Sequence, residues 1–162
     1  MLDKPVIGRV ENVSFPKLDL FEVPAKIDTG ADLSSIWATD ITESGEGLSF
    51  SLFGEASPFY SGEKMVFPSG HYTITRVSSS FGHKEYRYRV KLPIMIAGKR
   101  IRATFTLSDR KDKLYPILIG RRMISNKFYV DVSSGSPLKE QERARAKKLK
   151  QELQELQEQS WE

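Results

Sequence analysis

Cysteine is absent from the 162 residues of the chain. Its absence excludes disulfide frameworks, thiolate nucleophiles and cysteine-based zinc sites. Histidine is scarce, with only His71 and His83, and neither belongs to a His-Glu-x-x-His helix or to another metal-ligand spacing. A phosphate-binding loop of the Walker type is missing as well. We therefore expect no metal site and no cofactor.

Long apolar runs are also missing. No stretch approaches the ~20 apolar residues that a membrane span needs, and residues 1–13 lack the charged start and apolar middle of a signal peptide. The lack of cysteine fits a reducing compartment. The sequence therefore predicts a cytoplasmic protein without a membrane partner.

Basic residues outnumber acidic ones, 25 to 21, and the excess lies in the body of the chain because the charges of residues 138–162 cancel. Residues 84–102 carry one acid, Glu85, against a run of bases. These bases are Lys84, Arg87, Arg89, Lys91, Lys99, Arg100 and Arg102. Such a stretch can attract an acidic peptide or a nucleic acid by long-range steering, or it can form the solvated outer faces of strands.

Runs rich in β-branched and aromatic residues alternate with Gly, Pro, Asn and Ser, which predicts a mainly β domain over residues 1–134. The predicted strands cover 5–13, 20–27, 47–53, 72–79, 85–97, 99–107 and 127–132, with a hairpin turn at 97–99. From residue 135 the composition changes to strong helix formers. We predict a charged helical extension over 135–162, capped by Ser136, with a narrow stripe of Leu149, Leu153 and Leu156.

Two segments carry candidate chemistry. In the first, Asp28 stands where an apolar strand breaks into the turn Thr29-Gly30-Ala31, and Gly30 lets the backbone bend sharply. An Asp-Thr-Gly tripeptide alone is ordinary turn composition. The second segment, residues 115–122, is an apolar strand that ends in Gly120 and Arg121.

The pairing of Asp-Thr-Gly-Ala-Asp at 28–32 with apolar-apolar-Gly-Arg at 118–121 resembles the half-domain of retropepsins. The resemblance implies a retropepsin-like acid-protease half-barrel, here with a C-terminal α-helical tail. It also implies that Asp28 is catalytic, with Thr29 and Gly30 forming its loop. Four residues would support the site, with Asp32 paired to Arg121. These four are Ala31, Asp32, Gly120 and Arg121.

The chain resembles, more closely, a bacterial family found alongside RimK-type ATP-grasp glutamate ligases. This resemblance lies in five blocks, 25–38, 77–83, 106–110, 116–122 and 128–132. That family is often labelled an ATP-dependent zinc protease. Neither ATP nor zinc binding is supported by the residues of this chain. Members commonly have His where this chain has Trp37, so we predict a packing or substrate-wall role for Trp37.

Aspartic peptidases use two carboxylates that share one proton. Because the chain has one Asp-Thr-Gly, the resemblance implies a homodimer that meets through its catalytic face. Residues 61–82 are the predicted flap. Beside the cleft, Lys84, Arg87 and Arg89 would favour an acidic or glutamate-tailed substrate, as the link to glutamate ligases also suggests.

Two other functions stay open from the sequence. One is a non-catalytic module that keeps the fold and binds an acidic peptide or partner. The other is a nucleic-acid-binding β domain, which is disfavoured because Tyr86 and Tyr88 alternate onto the expected core face and no stacking motif is present.

Overall fold

The computed structural model describes residues 3–78 and 81–160. This part of the chain forms eleven β-strands, two α-helices and one 3₁₀ helix at Pro16–Leu18. The strands are β1 Val6–Ile7, β2 Val10–Phe15, β3 Leu20–Ile27, β4 Ser34–Ser44, β5 Gly47–Leu52, β6 Met65–Phe67, β7 Thr73–Ser78, β8 Lys84–Ile96, β9 Lys99–Ser108, β10 Ile117–Ile119 and β11 Tyr129–Val130. The helices are α1 Arg121–Ile124 and α2 Lys139–Gln159.

Six strands close into a mixed barrel in the order β10-β3-β2-β8-β9-β4, because β10 pairs with β4 as well as with β3. The pairs β3–β10 and β4–β9 are parallel, and the other neighbouring pairs in the barrel are antiparallel. Strands β5 and β6 extend the sheet from β4, and β7 pairs with β8. A separate parallel pair joins β1 to β11. The predicted mainly β fold with a C-terminal helix is confirmed.

The barrel core follows from the period of two along each strand, which sends alternate side chains to opposite faces. On β8, Val90, Leu92 and Ile94 are buried, while Lys91 between them is exposed. The predicted turn between β8 and β9 is confirmed, since Ile96 pairs with Lys99 and both intervening residues have positive φ. The alternation directs Lys91 to the outside of the barrel and Val90 and Leu92 into its core.

The longest strand that the sequence did not predict is β4, which begins directly after the Asp28 loop. Its residues are rich in Ser, Thr and acidic side chains and lack clear alternation. Its first five residues are nevertheless buried, because they lie between β9 and β10. Neighbouring strands therefore determine this element, and local composition does not reveal it.

Strand β7 and the first half of β8 form a hairpin beyond the barrel, pairing Thr73 with Arg89 and Ser78 with Lys84. The predicted flap, 61–82, overlaps this hairpin at Thr73–Ser78, and its residues 79 and 80 lie outside the described part of the chain. Its role as a flap stays a prediction. Tyr86 is 74% exposed, contrary to its predicted core position, because the barrel does not extend beneath this half of β8.

Helix α2 begins at Lys139, and its N-cap residue is Leu138. No side chain caps the free N–H groups of its first turn. The predicted cap, Ser136, donates its backbone N–H to the Val10 carbonyl instead. Leu138 donates its N–H to the Tyr115 hydroxyl, and that hydroxyl donates to Glu142 in the first turn. The three stripe leucines are exposed. Within 3–78 and 81–160, no helix has the length and apolar character needed to cross a membrane.

Candidate active site

Asp28 is the first residue after β3, at the mouth of the barrel. Its backbone N–H donates to the Ile119 carbonyl on β10 over 2.9 Å. Its own carboxylate accepts the N–H of Gly30 at 3.0 Å, and its carbonyl accepts the N–H of Ala31 at 3.2 Å. The side chain is half-buried. The turn therefore presents a carboxylate whose position is fixed by backbone hydrogen bonds, yet which still reaches the surface.

Strand β10 passes behind this turn and links it to both flanking strands. Ile119 pairs with Ile27 on β3, and Leu118 pairs with Ser35 on β4. Gly120, at the end of β10, approaches the loop so closely that an added Cβ would lie 2.5 Å from the Leu33 carbonyl oxygen. Only glycine permits this approach without moving the loop.

Ser34 connects the same strand to the loop through its side chain. Its buried hydroxyl accepts the N–H of Gly120 at 2.9 Å, and its carbonyl accepts the hydroxyl proton of Thr106 at 3.1 Å. Nearby, the buried hydroxyls of Ser35 and Ser108 are 2.6 Å apart. Buried hydroxyls need such partners, so this cluster locks β4 to β9 and β10 beneath Asp28.

Arg121 holds the outside of the loop. Its backbone N–H donates to the Ala31 carbonyl at 2.7 Å, and its guanidinium donates to the carbonyls of Thr29 and Gly30 at 3.2 and 2.9 Å. Thr29 contributes this carbonyl, and its hydroxyl has no hydrogen bond within the described residues. The arginine thus clamps three successive carbonyls of the turn.

Asp32 has two arginine neighbours. The Arg121 guanidinium lies 3.8 Å away, at the outer limit of an ion pair. Arg122 is closer, with Nε 3.1 Å from Oδ1 and Nη2 3.1 Å from Oδ2. The expected Asp32–Arg121 contact is therefore present but long, and Arg122 is the main partner that sequence reasoning missed.

Arg110 is a second missed residue near the candidate catalytic group. It lies two residues past β9, half-buried, and its Nε donates to the Tyr115 carbonyl at 2.9 Å. Burial lowers the pKa of Arg110 to about 10, the nearby Arg87 cation adds to this, and the Asp28 carboxylate opposes it. Arg110 is thus within electrostatic reach of Asp28.

The other predicted substrate-binding residues occupy different environments. Lys84 is exposed on the hairpin, and Arg87 forms an ion pair with Glu85. Arg89 is half-buried beside two surface grooves. Trp37 is only 8% exposed and lies against Gly54, where an added Cβ would contact its ring. Trp37 is therefore a packing residue and does not line the surface, which corrects its assignment to a substrate wall.

Within residues 3–78 and 81–160, no three His, Asp or Glu side chains converge as metal ligands do. The groups around Asp28 in this structure are backbone hydrogen-bond donors and arginines.

Comparison with protein families identifies the architecture around Asp28. The model of the RimB-like family, described as retropepsin-like aspartic endopeptidase RimB, matches residues 6–141. The match spans the Asp28 loop, β10 and Arg121. The chain belongs to the RimB-like family.

Curated relatives place RimB-like sequence within longer proteins. The chain is 33% identical over 134 residues to a protein named probable alpha-L-glutamate ligase from Shewanella pealeana, covering 81% of this chain and 29% of that protein. A protein of the same name from Shewanella halifaxensis is 33% identical over 142 residues, covering 86% and 31%. The chain thus spans about three tenths of the length of these relatives.

A solved structure supports the RimB-like fold. The crystal structure of a protein of unknown function from Legionella pneumophila superposes with a TM-score of 0.62 at 28% identity. The alignment covers 82% of this chain and 97% of that chain.

Proposed function

We propose that this protein is an aspartic endopeptidase that works as a homodimer and cleaves acidic or glutamate-modified polypeptide. The observation that carries the proposal is the half-exposed Asp28 carboxylate on a turn held by β10 and Arg121. Membership of a family of aspartic endopeptidases supports the same chemistry.

The reaction needs a second carboxylate. One carboxylate takes a proton from the attacking water, while its protonated partner polarises the peptide carbonyl and a proton later passes to the leaving amine. Two carboxylates in contact share one proton because two like charges at ~3 Å cannot both ionise. Each chain supplies one Asp-Thr-Gly, so two copies would place their Asp28 side chains across a two-fold axis.

Local charge supports an acidic substrate. Arg110 interacts electrostatically with the Asp28 carboxylate, and a cationic group beside a cleft raises the local concentration of anionic ligands. The curated relatives are named as glutamate ligases, and this chain aligns with about three tenths of each. A peptidase segment in a protein that handles glutamate is consistent with trimming or removing glutamate added to a protein.

The decisive experiment compares wild type with Asp28→Asn on two peptides that differ only by Glu→Gln replacement, between pH 4 and 7. The Asn carbonyl can still accept the Gly30 N–H, so the turn should persist. We expect cleavage by wild type only, faster for the Glu peptide, together with dimers by analytical ultracentrifugation. Equal cleavage by both proteins would overturn the assignment of Asp28.

A binding module is the second candidate, favoured by the grooves that basic side chains line outside the barrel. This function predicts tight binding of the Glu peptide by both wild type and Asp28→Asn, with no cleavage by either. A protein that stays monomeric in the presence of substrate would also favour this second function.

A further inference from the structure

Three adjoining grooves lie on the outer face of β8 and β9, around Arg102. Their volumes are about 580, 170 and 420 Å³. Arg102 lines all three, Lys91 lines the first and third, and Arg89 lines the second and third. The shared residues make the grooves one continuous surface, which we call the basic face.

Unpaired cations characterise the basic face. Seven Lys and Arg side chains line the grooves, and Arg122 among them pairs with Asp32. Among the described residues the other six have no ion pair with an acid, and no Asp or Glu lines the grooves. The six are Lys17, Arg89, Lys91, Arg100, Arg102 and Lys127.

The strand register explains how these cations come together. Lys91 is opposite Thr104, and Arg102 is opposite Pro93, so both side chains project from the same outer face of the sheet. The alternate residues, including Val90 and Ala103, fill the barrel. Like charges on neighbouring strands repel one another, and an anionic ligand would remove that repulsion.

Arg89 provides an independent indication of a ligand. Its Nε is buried and has no hydrogen-bond acceptor within the described residues. A buried donor that lacks a partner costs free energy. Because Arg89 borders two of the grooves, a carboxylate seated there could supply the acceptor.

The basic face reaches the candidate active site. Its second groove is lined by Leu33 and Ser34, which directly follow the Asp28 loop, and by Arg122, the partner of Asp32. Arg89 and Arg102 line the same groove, so it joins these two cations to the chain segment that directly follows the Asp28 loop.

We propose that the basic face is a second substrate-binding site that holds an acidic segment of the polypeptide away from the bond being cleaved. The inference rests on the proposed peptidase function. A polypeptide fits better than a nucleic acid because the aromatic rings at the third groove are engaged. Phe67 stacks on Phe50, and Tyr72 packs edge-on against Tyr88. They do not form the open stacking platform that single strands require.

Binding is measured first in the Asp28→Asn chain, with fluorescently labelled octaglutamate and octaglutamine as probes. Lys91→Gln with Arg102→Gln removes two charges from the basic face. Lys147→Gln with Lys148→Gln removes two charges from exposed positions on α2. We expect the first pair to weaken octaglutamate binding by about tenfold or more and the second by less than about twofold.

Equal losses in the two double variants would overturn the proposal, since they would show only a net-charge effect. The Lys91→Gln, Arg102→Gln protein is called the groove variant. If wild type binds an octamer RNA more tightly than octaglutamate and the groove variant loses that RNA binding, the assignment to a polypeptide is overturned.

Cleavage by chains that retain Asp28 separates this inference from the proposed function. We expect the groove variant to raise KM for a long acidic substrate while leaving kcat/KM unchanged for a short neutral peptide. If the wild-type chain cleaves neither peptide but groove-dependent binding persists, the peptidase assignment fails and the acidic-segment site remains. If cleavage of the acidic substrate is normal in the groove variant, the second site fails and the peptidase assignment remains.

Discussion

Arg122 contacts both carboxylate oxygens of Asp32, at 3.1 Å each, whereas Arg121 lies 3.8 Å from the same carboxylate. Arg121 instead donates to the carbonyls of Thr29 and Gly30. The two consecutive arginines therefore have different roles. Arg122 neutralises the second acid of the motif, and Arg121 clamps the Asp28 turn.

Replacing each arginine should separate these roles. Arg121→Gln removes two donors to the turn, and we expect the peptidase rate to fall by about tenfold or more because Asp28 loses its support. Arg122→Gln breaks an exposed ion pair, which should cost about 1 kcal/mol or less in unfolding free energy. Urea unfolding and peptide cleavage measure the two effects. An Arg122→Gln protein that loses more activity than Arg121→Gln would contradict this division.

The close approach of Gly120 to the loop gives a second prediction. In Gly120→Ala the new methyl would meet the backbone of Leu33 and Ala31 at under 3 Å. We expect a loss of about 2–3 kcal/mol in unfolding free energy and a large loss of activity, because the loop must shift. Gly45→Ala is the matched control, since its Cβ would have no neighbour within 4 Å. Comparable effects of the two substitutions would show that the close approach of Gly120 to Leu33 and Ala31 does not determine stability or activity.

The sequence predicted the barrel strands whose buried faces alternate regularly, as in β8 and β9. It also predicted β10, because an apolar run that ends in Gly is a local signal. It missed β4, where burial comes from β9 and β10 on either side and leaves no pattern in the polar residues of the strand itself. Long-range pairing of this kind is outside the reach of local periodicity.

The candidate site divides in the same way. Asp28, Gly120 and Arg121 belong to short motifs, so their proximity was expected from the family resemblance. Arg110 lies in segment 106–110, which carries part of the family resemblance, but nothing in its local sequence indicates that the chain folds back to bring it near Asp28. Ser136 does not cap α2 because the helix begins three residues later, at Lys139, where the Tyr115 hydroxyl accepts the Leu138 N–H.

Glu142 should make the attachment of α2 pH-dependent. The Tyr115 hydroxyl, which donates to this carboxylate, lowers the pKa of Glu142 below its ordinary 4.5, and the Arg9 cation adds to the effect. A carboxylate whose pKa is lower in the folded protein than in the unfolded chain stabilises the fold at pH values above the unfolded-state pKa. This stabilisation is lost as the pH falls through the folded-state pKa. Glu142→Gln keeps an acceptor for Tyr115 but removes the charge. We therefore expect wild type to be more stable than Glu142→Gln by about 1 kcal/mol at pH 7.

This difference should shrink once the pH falls below 4.5. Urea unfolding of both proteins across pH 3–7 measures it, with Glu140→Gln on the exposed side of the same turn as the control. A stability difference that stays constant over this range would mean that the charge of Glu142 does not hold the helix to the barrel. The contact would then depend on the neutral hydrogen bonds of Tyr115 alone.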